Sequence, residues 1–172
     1  MNSQLSLAQV ACQIQVTPQI LRAQTHILDE VILRWRPEPG EWCIKEVIGH
    51  LIETDRRGFA GRIETMLAED RPQLQAWDVE GTAAARRDHE RNVVDLLSEL
   101  DTMRRAGGEM IKRLSAGQLL RAGHHPQVGE LKVVDLLHEW VFHDLNHLKQ
   151  IAANIQHFVW PHMGNAQRFS AG

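Results

Sequence analysis

The stretch KVVDLLHEWVFHDLNHLKQIAANIQHF, Lys132 to Phe158, decides the fold. Val133, Leu136, Leu137, Trp140, Val141, Leu145, Leu148, Ile151 and Ile155 recur at helical steps of three and four, which predicts one long helix with a continuous apolar face. Trp160-Pro161 marks its end, and residues 162–172 read as a loose tail. Upstream, residues 115–130 read as a loop holding His124-His125-Pro126 and Gly129. Before it, a helix is expected from about Ala84 to Leu114, its core face running from Val93 through Leu97 and Leu100 to Ile111. Gly107-Gly108 interrupts that helix at a cost of about 1 kcal/mol per glycine relative to alanine, so a kink or a close neighbour is expected there.

The N-terminal half repeats the pattern. Val47, His50, Leu51, Thr54, Gly58, Ile63 and Met66 predict a helix from about Cys43 to Glu69, closed by Asp70-Arg71-Pro72, with residues 71–83 irregular. A first helical region covers Leu5 to Trp35. Thr17-Pro18 resembles an N-cap followed by a first-turn proline, which divides a short lead-in helix from a long one. Pro37-Glu38-Pro39-Gly40 stops it. Four such segments in 172 residues predict a single all-α domain over 1–172, built as a four-helix bundle.

Composition narrows the function classes. A net charge of -3 leaves no basic footprint for nucleic acid. Two cysteines, Cys12 and Cys43, cannot form a disulfide framework and fit a reducing compartment. The opening MNSQLSLAQVACQIQ carries no basic leader, and no run approaches the roughly 18 apolar residues of a membrane span. A cytoplasmic location is expected.

There are ten histidines and no tyrosine. His143 and His147 are four residues apart, so they share a helix face. His50 sits among Val47, Ile48, Leu51 and Ile52 on a face that should point into the bundle. Three neutral imidazoles converging in a core are costly without a partner, and a metal ion removes that cost. Three ligands with an open position is the catalytic pattern, whereas structural zinc normally has four. Imidazole suits zinc, nickel, iron or manganese; one divalent ion is expected, with zinc or nickel placed first.

Around the triad, Glu46, Glu53, Thr54 and Arg57 follow on the His50 side, and Glu139 and Gln150 on the other helix. Gln150 and Glu46 are the residues expected to hold free imidazole N–H groups. Glu46 also stands three residues after Cys43, where the glutamate of a capping box would sit. Cys43 reads as a small buried apolar residue, the tryptophans as core and helix anchors, and His124 and His125 as surface residues.

The segment PEPGEWCIKEVIGHLIETD, Pro37 to Asp55, resembles the first signature of the DinB/YfiT-like metalloprotein superfamily, and HPQVGELKVVDLLHEWVFHDLNHLKQI, His125 to Ile151, resembles its second. The resemblance implies an up-down-down-up four-helix bundle, a divalent metal on His50, His143 and His147, and a homodimer. Cys43 departs from the serine or threonine the family often places there. Characterised relatives include enzymes that use low-molecular-weight thiols. The expectation is a metal-dependent enzyme that activates such a thiol or water against a small electrophile, of S-transferase or hydrolase type. The alternative is a non-catalytic protein that binds metal or a small ligand, or serves a stress response.

Overall fold

The computed structural model of the chain describes residues 4–170. Helix α1 spans Leu7–Thr25 and opens with a capping box: the Ser6 hydroxyl accepts from the Gln9 N–H at 3.3 Å, and Gln9 Oε1 accepts from the Ser6 N–H at 2.8 Å. Thr17-Pro18 does not divide it. Pro18 lies inside the helix, buried with Thr17 and Leu21. A proline there removes one backbone bond. The helix persists because this face packs against the core and the Thr17 hydroxyl donates to Asp144 Oδ2 at 2.6 Å. A one-turn helix, α2 (Glu30–Leu33), follows.

The expected Cys43–Glu69 helix is α3 (Ile44–Thr54) and α4 (Ala60–Ala68), joined without a break by a wide π turn over Asp55–Phe59. The expected Ala84–Leu114 helix is broken. Helix α5 covers Val79–Arg86, Arg87 takes a left-handed conformation (φ +51°), and one 3-10 turn, Asp88–Glu90, leads to α6 at Val93–Lys112. Asn92 caps α6 by accepting from the Val94 N–H at 2.8 Å. Gly107 and Gly108 do not kink α6. A Cβ on Gly107 would stand 2.8 Å from the Trp140 ring, and one on Gly108 would stand 2.2 Å from the Gln15 side chain, so these glycines let α1 and α8 come close.

Residues 115–132 are not a plain loop. Helix α7 (Ala116–Leu119) precedes a hairpin of β1 (Ala122–His125) and β2 (Gly129–Lys132), registered from Ala122 opposite Lys132 to His125 opposite Gly129. Helix α8 then runs over Val133–Val159. The expected loose tail, residues 162–172, forms 3-10 turns as far as Phe169, broken at Gly164 (φ +52°) and with none of its described residues buried; residues 171 and 172 lie outside the described residues. No described helix is long and apolar enough to cross a membrane.

Four rods make the bundle: α1, α3–α4, α6 and α8. The core has two ends. One holds Val10 and Ile14 of α1, Ile63 and Met66 of α4, Ile111 of α6 and Leu136 and Trp140 of α8. The other holds Leu21, Ile48, Leu51, Leu96, Leu97 and Ile151. Reading each rod from one end to the other gives α1 up, α3–α4 down, α6 down and α8 up. Two consecutive parallel rods need a long crossover, and residues 69–92 provide it. It pairs with the hairpin edge, Leu74 N–H donating to His124 O and His124 N–H to Pro72 O at 2.8 Å each. It then lies on α3, where a Cβ on Gly49 would overlap the Asp88 carboxylate at 1.8 Å. That path carries Trp77 to the middle of the bundle.

Candidate metal centre

Helix α3 presents His50, and α8 presents His143 and His147 one turn apart. Nε2 of His143 lies 3.1 Å from Nε2 of His50 and 3.2 Å from Nε2 of His147. One ligand atom from each residue fits within 4.8 Å of the others. Two nitrogens held 2.0–2.1 Å from one ion are about 3.3 Å apart at a tetrahedral angle and about 2.9 Å apart at a right angle. The observed spacings fall between these, so the donor set fits a small divalent ion.

The protonation pattern agrees. The His147 Nδ1–H donates to Gln150 Oε1 at 2.7 Å, which leaves the Nε2 lone pair directed at the cluster. Burial, with a smaller contribution from His147, pushes His50 down to about 3. Burial and then His147, His50 and Arg104 push His143 down to about 2. Burial also lowers His147, against the opposing pull of Gln150 and Asp144. All three are neutral at pH 7, the form that binds metal. The Nδ1 of His143 is buried without a hydrogen-bond partner.

Aromatic rings wall the triad. His50 lies 4.8 Å from Trp42 and is stacked near Trp77 at 6.1 Å. Phe59 meets His143 edge-on at 5.2 Å and stacks on Trp140 at 5.2 Å. Trp140 is a fully buried core anchor and Trp42 packs half-buried against the other end of the core, as expected of anchors. Trp77 sits in the irregular crossover, where periodicity carries no signal.

Other site expectations divide. Gln150 lies beside His147 on α8, its Oε1 2.7 Å from His147 Nδ1. Glu46 is a capping residue: it accepts from the Cys43 N–H at 2.9 Å and from Arg36 at 2.5 Å, and its bonds go to neither α8 histidine. Burial pushes the Cys43 thiol up to about 11, which fits a packed, unreactive residue. Glu53 is buried and tied to Arg56, Arg57 and Arg86. Thr54 donates to the His50 carbonyl at 2.8 Å, its oxygen 3.3 Å from His50 Nε2. Glu139 is exposed. His124 is exposed as expected, but His125 is buried at 5% exposure because its side of the hairpin faces α4.

Beneath the triad lies a second polar cluster. Arg104 is fully buried and binds both Asp144 oxygens, at 2.5 and 2.7 Å. Its Nε is 2.7 Å from Asp55 Oδ2, but off the hydrogen-bond direction, so neither atom has a bonded partner. Burial dominates at Asp55 and raises its carboxyl to about 7 despite the attraction of Arg104. Helical phase could have revealed this cluster. Asp144 stands four residues after Trp140 and seven before Ile151, and Arg104 four after Leu100, all on buried stripes.

A cavity of about 390 Å³ opens on His143, and another of about 460 Å³ on His147 and Gln150.

A protein of Bacillus licheniformis named "Putative metal-dependent hydrolase" is 24% identical over 86% of this chain and 84% of its own length. One of the same description from Halalkalibacterium halodurans is 25% identical over 81% of this chain and 80% of its own. Among solved structures, YfiT from Bacillus subtilis, described as a probable metal-dependent hydrolase with an unusual four-helix bundle topology, superposes with a TM-score of 0.81 over 92% of each chain at 17% identity. The DinB superfamily pattern matches residues 13–151, and the chain therefore belongs to the DinB superfamily.

Proposed function

We propose that this protein is a metal-dependent hydrolase of a small molecule, with the ion on His50, His143 and His147. The observation that carries the reading is the convergence of three neutral Nε2 atoms at 3.1 and 3.2 Å beside an open cavity. Three ligands leave positions free for reactants. When bound, a divalent ion there supplies Lewis acidity and lowers the pKa of water toward neutrality. The chain's own part is placement. Gln150 fixes the His147 tautomer. Phe59 and Trp77 line the approach to His143 with apolar surface. The names of the relatives from Bacillus licheniformis and Halalkalibacterium halodurans support the same chemistry.

Transfer to a low-molecular-weight thiol is the second reading. One observation favours it: the triad borders two cavities, one at His143 and one at His147, which gives two reactants separate approaches.

The test is turnover of activated esters and amides by protein loaded with zinc, nickel or manganese, with and without added thiol. Hydrolysis that disappears with chelation and in His147→Ala supports the proposal. Activity that appears only with thiol favours transfer. Turnover that survives metal removal sinks both.

A further inference from the structure

The cavity beside His143 has one end rich in donors and poor in acceptors. Arg62 of α4 lines it, half-buried. Among the described residues no carboxylate lies within ion-pair distance of Arg62, whereas the half-buried Arg86 and the buried Arg104 each have one. Its Nη2 donates to Gln75 O at 3.1 Å and stands 3.0 Å from His125 Nε2. Those two acceptors serve a group with five N–H donors. Its Nε is buried with no partner.

His125 deepens the imbalance. Its Nε2 faces the Arg62 guanidinium, and its Nδ1 faces the Gln127 N–H at 3.3 Å. A neutral imidazole accepts at only one nitrogen, so one of these contacts sets donor against donor. Protonation would not relieve it, and burial and the charge of Arg62 both disfavour it. The two carboxylates of the cavity lie elsewhere in the bonding scheme: Asp135 accepts from the Lys132 N–H at 2.8 Å, and Glu139 is exposed on α8. Between the donor-rich end and His143, Phe59, Trp77 and Leu136 supply apolar wall.

We propose that Arg62, with His125, binds an oxyanion on the substrate, a carboxylate or a phosphoryl group, while the substrate's apolar body lies along Phe59, Trp77 and Leu136 toward His143. The site deepens the hydrolase reading by naming the substrate class: a small anionic molecule whose charge is separated from the scissile bond by an apolar spacer. A planar guanidinium with free donors matches either oxyanion by paired hydrogen bonds.

Binding can be tested apart from catalysis. Metal-free protein is titrated calorimetrically with benzoate, with inorganic phosphate and with benzamide, the neutral isostere of benzoate. The proteins are wild type, Arg62→Met and Arg62→Lys. The expected result is saturable binding of at least one anion, weakened by about 10- to 100-fold in Arg62→Met, the size of a lost charged hydrogen-bond pair. Arg62→Lys, which keeps the charge without the fork, should fall between. Benzamide should be indifferent to the substitution. Preference for benzoate identifies a carboxylate and preference for phosphate a phosphoryl group. Equal binding of an anion to wild type and Arg62→Met, or no saturable anion binding at all, overturns the proposal. Equal losses for benzoate and benzamide also overturn it, because they mean that Arg62 only props the cavity open. Because the ion is absent, failure of the metal reading leaves this result intact.

Discussion

Two polar clusters share the middle of this bundle, less than one helical turn apart on α8, and they solve burial in opposite ways. The Asp55–Arg104–Asp144 cluster contains its own counter-charge. Arg104 binds both oxygens of Asp144, and the surplus negative charge is relieved by the raised carboxyl of Asp55. The histidine cluster carries no charge, and its Nε2 atoms crowd on one point. A cluster that balances its own charge can stay buried by itself; an uncharged one whose lone pairs converge on one point marks where a cation belongs. His143 and Asp144 are adjacent residues, so one turn of helix belongs to both.

The largest effects separate the clusters. In a His50→Ala, His143→Ala, His147→Ala protein, metal content by elemental analysis should fall from about one equivalent to none, with turnover at background and the helical circular dichroism retained. An ion that stays bound would move the centre elsewhere. Arg104→Met should do the reverse. It leaves two buried carboxylates uncompensated, and urea unfolding should show a loss of about 3–5 kcal/mol while metal binding persists. A loss under 1 kcal/mol would mean that the cluster is not a self-neutralising unit.

The contrast also explains what the sequence reveals. The triad is legible because histidine in an apolar stripe is conspicuous and the H-x3-H spacing has a direct meaning. Gln150 is legible because it follows His147 by three residues on the same face. For Asp55, Arg104 and Asp144 helical phase hints only that Arg104 and Asp144 lie on buried stripes; isolated charges beside such stripes ordinarily lie at helix edges, and no local pattern says that the three meet across the bundle. The π turn at Asp55–Phe59 and the break at Arg87 are set by tertiary packing, so periodicity runs through both. Pro18 stays inside α1 for the same reason: a rule for isolated helices yields where the helix is buried on one side.

Smaller effects sharpen the comparison. Gln150→Ala should weaken metal binding about 10- to 100-fold in a chelator competition, with little change in melting temperature. No change would mean that the 2.7 Å bond does not orient His147. The smallest effect is in pH. In the metal-free protein, His50 and His143 have folded values near 3 and 2, below their ordinary 6.5. The unfolded chain then binds more protons across that window. Their contribution to stability is complete above pH 6.5 and is lost as pH falls toward 3. Asp55 acts with the opposite sign: raised from 3.8 to about 7, it contributes below 3.8 and loses its contribution as pH rises through 7. Asp55→Asn should therefore steepen the rise of melting temperature between pH 4 and 6.5; a shallower slope would reverse the assignment of the two clusters.

The wide turn between α3 and α4 also acts as a phase correction. His50, Thr54, Gly58 and Arg62 follow one another at steps of four. Over those twelve residues a regular helix drifts about 120° from its starting face. A π turn absorbs one extra residue, which takes back about 100° of that drift. The rod thereby keeps a single azimuth from the imidazole at one level to the guanidinium three turns along. One residue more or fewer in Asp55–Phe59 would shift the two side chains by only about 1.5 Å along the axis but aim them about 100° apart, at different sides of the bundle.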